Sequence, residues 1–280
     1  MKLIYYRSQV NVETPPGLPR TPGRPLKECR PSGKEVPSDE MAPEDVKGDK
    51  RVNNLEDYLR LVECGQPLSF VFRGVTDVVK HQLIPSVGRD WKEGTFPLLD
   101  LERELLSEFK LRSLPWLSQF RPVQDWDWLM LAQHHGVPTR LLDWTTNPLV
   151  ALFFACRGDE KVNGAVYVAR KESLHRLETD IRHSDVPKVE EDYYIVPPHI
   201  SARIPAQAAC FTVSKEPAKP FACHHRLCRV VVEAAVKSSL LQRVARCGMT
   251  EAALFPGLDG LGRELKQRAD QKKLDYAMPR

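Results

Sequence analysis

A chain of 280 residues with 42% hydrophobic side chains is long enough for one large core or two small ones. Its formal charge of +4, spread without a basic block, argues against a nucleic-acid partner held by charge alone. No apolar run approaches the roughly 20 residues that span a bilayer, residues 1–10 lack a signal-peptide core, and seven irregularly spaced cysteines point to reduced thiols. A cytoplasmic setting without membrane contact is therefore expected.

Residues 3–6 read as a short strand or an apolar terminus. Residues 11–50 hold eight prolines, seven basic and eight acidic residues and little apolar periodicity, the composition of a solvated, disordered linker; its prolines are the alternative docking sites for a partner. The division is a disordered segment over 1–50, a folded domain over 51–268 and a flexible tail over 269–280. Order begins near Asn53: Asn54 can cap a helix with apolar spacing through Leu55, Tyr58, Leu59 and Val62, ended by Gly65 and Pro67.

Residues 69–74, SFVFRG, alternate as a strand does and end on Arg73 and Gly74. An arginine there, followed by a glycine, suits an anion grip with close backbone approach; the plainer reading is a surface arginine on a hairpin. Residues 98–114 have the spacing of an amphipathic helix, with Glu102, Glu104 and Glu108 on its solvated face. Trp116, Phe120, Trp126 and Trp128 crowd a short span, as core aromatics do.

Residues 125–156 carry the densest signal. A helix apolar on nearly every side runs from Trp126 to Gln133 and meets a left-handed stop at Gly136. A second uncharged helix opens on Asn147 and Pro148, a cap and a preset first turn. The hinge between them holds His134, His135, Arg140, Asp143, Thr145, Thr146 and Asn147, and polar groups between buried helices must pair internally or line a pocket. A structural reading stands beside this one: Arg140 and Asp143 as a buried pair, His135 as a helix-end donor.

Further on, residues 164–169, 193–196, 209–213 and 227–232 read as strands, 237–247 as a helix stopped by Gly248, and 259–268 as a helix capped by Asp259. Arg203, Gln207 and Thr212 precede or lie in the strand at 209–213 and are candidates for the same pocket as Arg73; otherwise they satisfy loop carbonyls. Cys210, Cys223, His224, His225 and Cys228 raise zinc but lack paired Cys-x-x-Cys spacing, so no metal is expected. Phosphate-loop, dinucleotide-fold, zinc-protease and serine-hydrolase motifs are missing from the sequence.

Four segments, Phe-Arg-Gly at 72–74, LIPSVGR at 83–89, LAQHHGVPTRLLDWTTNPLVALFFA at 131–155 and LFPGLDGLGREL at 254–265, together resemble the FRG domain across roughly 53–265. The resemblance brings no settled reaction; an effector role is its implication, which no residue here carries alone. The fold expected is a single α+β domain with a central sheet and buried helices.

Three readings of function follow. In the first, the chain is an ADP-ribosyltransferase-like enzyme with NAD as its substrate. Arg73 resembles the first-strand arginine of the arginine–serine–glutamate class of transferases, residues 210–214 stand loosely for its hydroxyl-bearing strand, and Glu233 or Glu251 stabilises the ribosyl cation, although neither lies in an E-x-E pattern. In the second, a metal-independent nuclease or phosphodiesterase, His134 or His135 is the acid or base, Asp143 orients it, and Arg73, Arg140 and Arg203 hold the phosphate. Adjacent helical residues point about 100° apart, so one histidine at most faces the site. In the third, the pocket binds a nucleotide or peptide without chemistry. The partners expected are an NAD-like nucleotide and a protein or nucleic-acid acceptor; oligomeric state is left open.

Overall fold

The computed structural model describes residues 49–63, 69–117, 122–176, 189, 191–221 and 227–277. The expected strand at 3–6, the proline-rich segment through residue 48, the helix stop at Gly65 and Pro67, and Phe120, Cys223, His224 and His225 fall outside them, while Lys50, assigned to the disordered segment, opens a strand. The described chain forms a mixed α+β fold around an eight-stranded sheet. In chain order the strands are β1 (Lys50–Val52), β2 (Phe70–Val75), β3 (Leu141–Thr145), β4 (Gly164–Arg170), β5 (His175–Arg176), β6 (Tyr193–Ile195), β7 (Ala209–Val213) and β8 (Leu227–Val232). Their spatial order is β1-β8-β4-β2-β3-β7-β6-β5, antiparallel except for the outer pairs β1 with β8 and β5 with β6. Long ladders join β4 to both β2 and β8, and β3 to β7. β2 and β3, by contrast, meet at one register pair, Phe72 opposite Thr145.

The helices are α1 (Leu55–Val62), α2 (Leu98–Ser113), α3 (Asp125–His134), α4 (Pro148–Cys156), α5 (Arg203–Ala206), α6 (Ala234–Arg246), α7 (Glu251–Leu254) and α8 (Leu258–Ala277). Side-chain oxygens set two starts as the sequence suggests: Asn54 accepts from the Asp57 amide, and Asn147 from the Leu149 amide with Pro148 at the first position. α4 is buried because it lies directly on β2. A Cβ added at Gly74 would stand 1.9 Å from the Ala151 carbonyl oxygen, so only glycine admits the helix this close. Phe72, Val150, Leu152, Phe153, Leu240 and Val244 join one core there; Trp126, Leu129 and Met130 of α3 join a second with Leu141 and Phe211. Val71, Leu142, Trp144 and Tyr167 build a third.

Lys237 of α6 is wholly buried with no carboxylate in contact among the described residues; its ammonium donates to the carbonyls of Thr76, Asp159 and Val162 at 3.0, 2.9 and 3.2 Å. It thereby ties the end of β2 to the α4–β4 loop. No helix among the described residues is long and apolar enough to cross a membrane.

Four features depart from the sequence reading. The hinge between α3 and α4 contains a strand, β3, whose paired Leu141 and Leu142 obscure any alternation. Glu102 is buried rather than solvated, because Leu98, Glu102 and Leu106 form the inward stripe of α2. Trp116 is 82% exposed while Trp126 is core. The last helix begins at Leu258, so Asp259 lies inside its first turn, and it runs on to Ala277.

Candidate functional site

The single β2–β3 register pair leaves a gap beside it, and Arg73 spans that gap. Its Nη1 donates to the main-chain oxygen of Asp143 and stands 3.6 Å from Asp143 Oδ2. Nε is buried and makes no hydrogen bond among the described residues. Burial depresses the pKa of this guanidinium, opposed by the Asp143 charge, but an arginine remains cationic at neutral pH. A buried cation answered by a carbonyl and one distant carboxylate oxygen has capacity for an anion.

Asp143 is held from the opposite side. Thr139 Oγ1 donates to Gln133 Oε1 at 2.7 Å, which turns Gln133 Nε2 toward Asp143 Oδ2 at 2.9 Å. Thr139 is itself fixed, since its Oγ1 accepts from the Leu141 amide and its own amide donates to Ser86 Oγ. Oδ2 thus faces Gln133 and Arg73, whereas Oδ1 makes no hydrogen bond among the described residues and the side chain is 59% exposed. The result is an oriented carboxylate with one oxygen available.

Arg203, on α5, lines the same cleft. Its Nη1 makes a long 3.5 Å donation to the His134 carbonyl, and its guanidinium lies 4.4 Å from the Phe255 ring centroid. Gln207 lines the cleft beside it but donates Nε2 to the Leu254 carbonyl at 2.8 Å, and its own carbonyl accepts from Thr145 Oγ1. The next residue, Ala208, has φ 44°, a left-handed conformation that costs a non-glycine residue about 1 kcal/mol; its carbonyl accepts from the Thr146 amide.

Of the two histidines, His134 lines the cleft and His135 does not. Burial, with the charges of Arg203 and His135, pushes the His134 imidazole down to about 4 against the pull of Asp143, so it is neutral at pH near ~7. His135 caps the C-terminus of α3, exposed and tilted against Phe109.

The remaining predicted site residues, Gly74 apart, stand outside the cleft lining. Arg140 is buried against Glu102, which accepts from both its amide and its Nε; the expected alternative partner, Asp143, faces the cleft instead. Thr212 is buried and accepts from Trp144 Nε1. Glu233 begins α6 and pairs with Arg51 at 2.7 Å. Glu251 is not among the cleft-lining residues, and its carboxylate is taken by Arg157 at 2.8 Å and Arg263 at 3.1 Å. Gly74 lines the cleft, its lack of a side chain serving the approach of α4. Sequence reasoning passed over Gln133 and the apolar walls Phe72, Phe154 and Phe211. Gln133 belongs to the Ala-Gln-His-His stretch, where a polar residue inside a buried helix was the available signal.

The cleft has a volume of about 410 Å³, in the range of small-molecule sites, with aromatic walls and a few convergent polar groups. Among the described residues no group of three or more His, Cys, Asp or Glu side chains comes together to hold a metal. What the arrangement offers is two cations, an oriented carboxylate and a neutral imidazole, suited to an anionic ligand with a flat apolar portion.

The FRG domain family model matches residues 68–164, from the start of β2 to the start of β4. The chain carries an FRG domain. That span includes Arg73, Gln133, His134 and Asp143; Arg203 and Gln207 follow it. No curated protein and no solved structure matches the chain.

Proposed function

We propose that the cleft binds NAD or a related nucleotide and breaks its nicotinamide–ribose bond, transferring the ribosyl group to a hydroxyl acceptor or to water. One observation carries the reading: Arg73 and Arg203, neither closely paired with a carboxylate among the described residues, line the same cleft as the half-open carboxylate of Asp143. The arginines would take phosphate oxygens, and the aromatic walls a ring.

The reaction would use groups other than those the transferase resemblance implied. Glu233 is paired with Arg51 and Glu251 with two arginines, whereas Asp143 is oriented and exposed. As the bond from the ribosyl carbon to nicotinamide breaks, the bonding electrons leave with the nicotinamide nitrogen and positive charge gathers on the ribose, where Asp143 Oδ1 would stabilise it. The acceptor oxygen then bonds to that carbon and sheds its proton. His134, neutral and in the cleft, would receive it.

The test is nicotinamide release by the full chain, with and without cell extract, beside the Arg73→Ala and Asp143→Asn variants. Release that disappears in both variants, while NAD still binds to Asp143→Asn, supports the reading. Absence of both release and NAD binding would overturn it and direct attention to RNA and DNA cleavage through His134. Binding without release in any extract would make the cleft a nucleotide-binding module.

A further inference from the structure

Phe255, directly after α7, carries more charge around it than its packing needs. The guanidinium carbons of Arg203, Arg157 and Arg263 lie 4.4, 4.9 and 5.0 Å from its ring centroid, brought there by α5, the end of α4 and α8. One carboxylate, Glu251, answers two of them: Oε1 is 2.8 Å from Arg157 Nε and Oε2 3.1 Å from Arg263 Nε. That arrangement suffices to fasten α8 and α7 to α4. Arg203 stacks on the ring but takes no part in those ion pairs among the described residues. Burial and the like charges of Arg263 and Arg157 depress its pKa, and its hydrogen bond among the described residues is the long one to the His134 carbonyl. A third cation placed against two others, facing a cleft, lowers its energy when an anion arrives.

We propose that the arginines gathered on Phe255 form a diphosphate subsite: Arg203, which lines the cleft, takes one phosphate there, and Arg157 and Arg263, beyond the cleft lining on the same ring, take the adjoining phosphate. The inference rests on the nucleotide reading of the cleft and narrows it to ligands with two linked phosphates. Arg157 and Arg263 can be reached from solvent, their side chains being 32% and 45% exposed. Each uses Nε for Glu251, which leaves the outer Nη donors of a planar fork for phosphate oxygens.

Calorimetric titration of the full chain with AMP and with ADP, at one ionic strength, tests this. ADP is expected to bind about tenfold or more tightly than AMP, the scale of one added charge-assisted phosphate contact. Arg263→Gln and Arg157→Gln should each reduce ADP affinity while leaving AMP affinity unchanged, so that the preference collapses. Thermal melts check that the variants are folded, and Arg263→Gln, on the more exposed side chain, decides if Arg157→Gln is not. Equal binding of AMP and ADP, or a preference that survives in Arg263→Gln, would overturn the diphosphate subsite and leave the nucleotide reading standing. If neither AMP, ADP nor NAD binds the unaltered protein, the nucleotide reading fails and this inference with it.

Discussion

Replacing Glu102 by glutamine leaves a charge stranded in the interior. Arg140 and Glu102 have side chains 1% and 4% exposed, and the carboxylate accepts from the Arg140 amide at 2.6 Å and from Nε, with Nη2 in contact as well. Arg140 Nη1 makes no hydrogen bond among the described residues, so little else compensates the guanidinium. Removing one partner of such a pair costs about 3–5 kcal/mol, and glutamine, which keeps the shape and one acceptor oxygen, should fall near the lower end. With a urea slope of roughly 2–3 kcal/mol/M for a domain of this size, the unfolding midpoint should drop by about 1–1.5 M at unchanged slope. Glu102→Met with Arg140→Met should recover most of the loss, since apolar replacement of both members is often neutral or stabilising. A loss below about 1 kcal/mol, the range of exposed pairs, would refute the claim that this pair is sealed from water.

Three further outcomes are expected. Gly74→Ala puts a methyl 1.9 Å from the Ala151 carbonyl oxygen and should cost about 3 kcal/mol or more, read as a lowered Tm. Gln133→Leu removes the donor that orients Asp143 Oδ2 and should slow nicotinamide release about tenfold with little change in KM; Thr139→Val, which unfastens Gln133, should act in the same direction. The folded-state pKa of His134, about 4, lies below the ordinary ~6.5, so the unfolded chain takes up its proton first as the solution is acidified. The stability contributed by neutral His134 is therefore full above about 6.5 and lost as pH falls toward 4; in His134→Gln this part of the slope should vanish from urea unfolding measured across that window.

Where local chemistry decides the backbone, the sequence was readable. The Asn-Pro opening of α4 and the turn at Gly136, which has φ 81°, need no distant partner to be recognised. The strands at Ala209–Val213 and Leu227–Val232 likewise have the limits that β-run composition suggested. β3 escaped because four of its five residues are buried, on both faces, so it shows no alternation, and Asp143 and Thr145 looked like hinge residues. Glu102 escaped because its reason for burial is 38 positions away, at Arg140. Gly74 lines the cleft, and its second task, making room for the Ala151 backbone, depends on a helix 77 positions on that no local pattern displays. The relay from Thr139 through Gln133 to Asp143 joins a loop, a helix and a strand, so no periodicity could display it.

The lone Phe72–Thr145 pair divides the eight strands into two ladders, β1-β8-β4-β2 and β3-β7-β6-β5, sewn together at the centre by one stitch and the Arg73 side chain. Amides along that seam should be among the first in the sheet to exchange with solvent, because opening there breaks few backbone bonds. Arg73 belongs to one ladder, and Arg203, just ahead of β7, comes with the other. A ligand grasped by both is therefore a crosslink as well as a guest. Its occupancy should suppress exchange across the seam and raise the melting temperature by an amount that grows with the logarithm of its affinity, turning the weakest line of the sheet into a sensor of what fills the cleft.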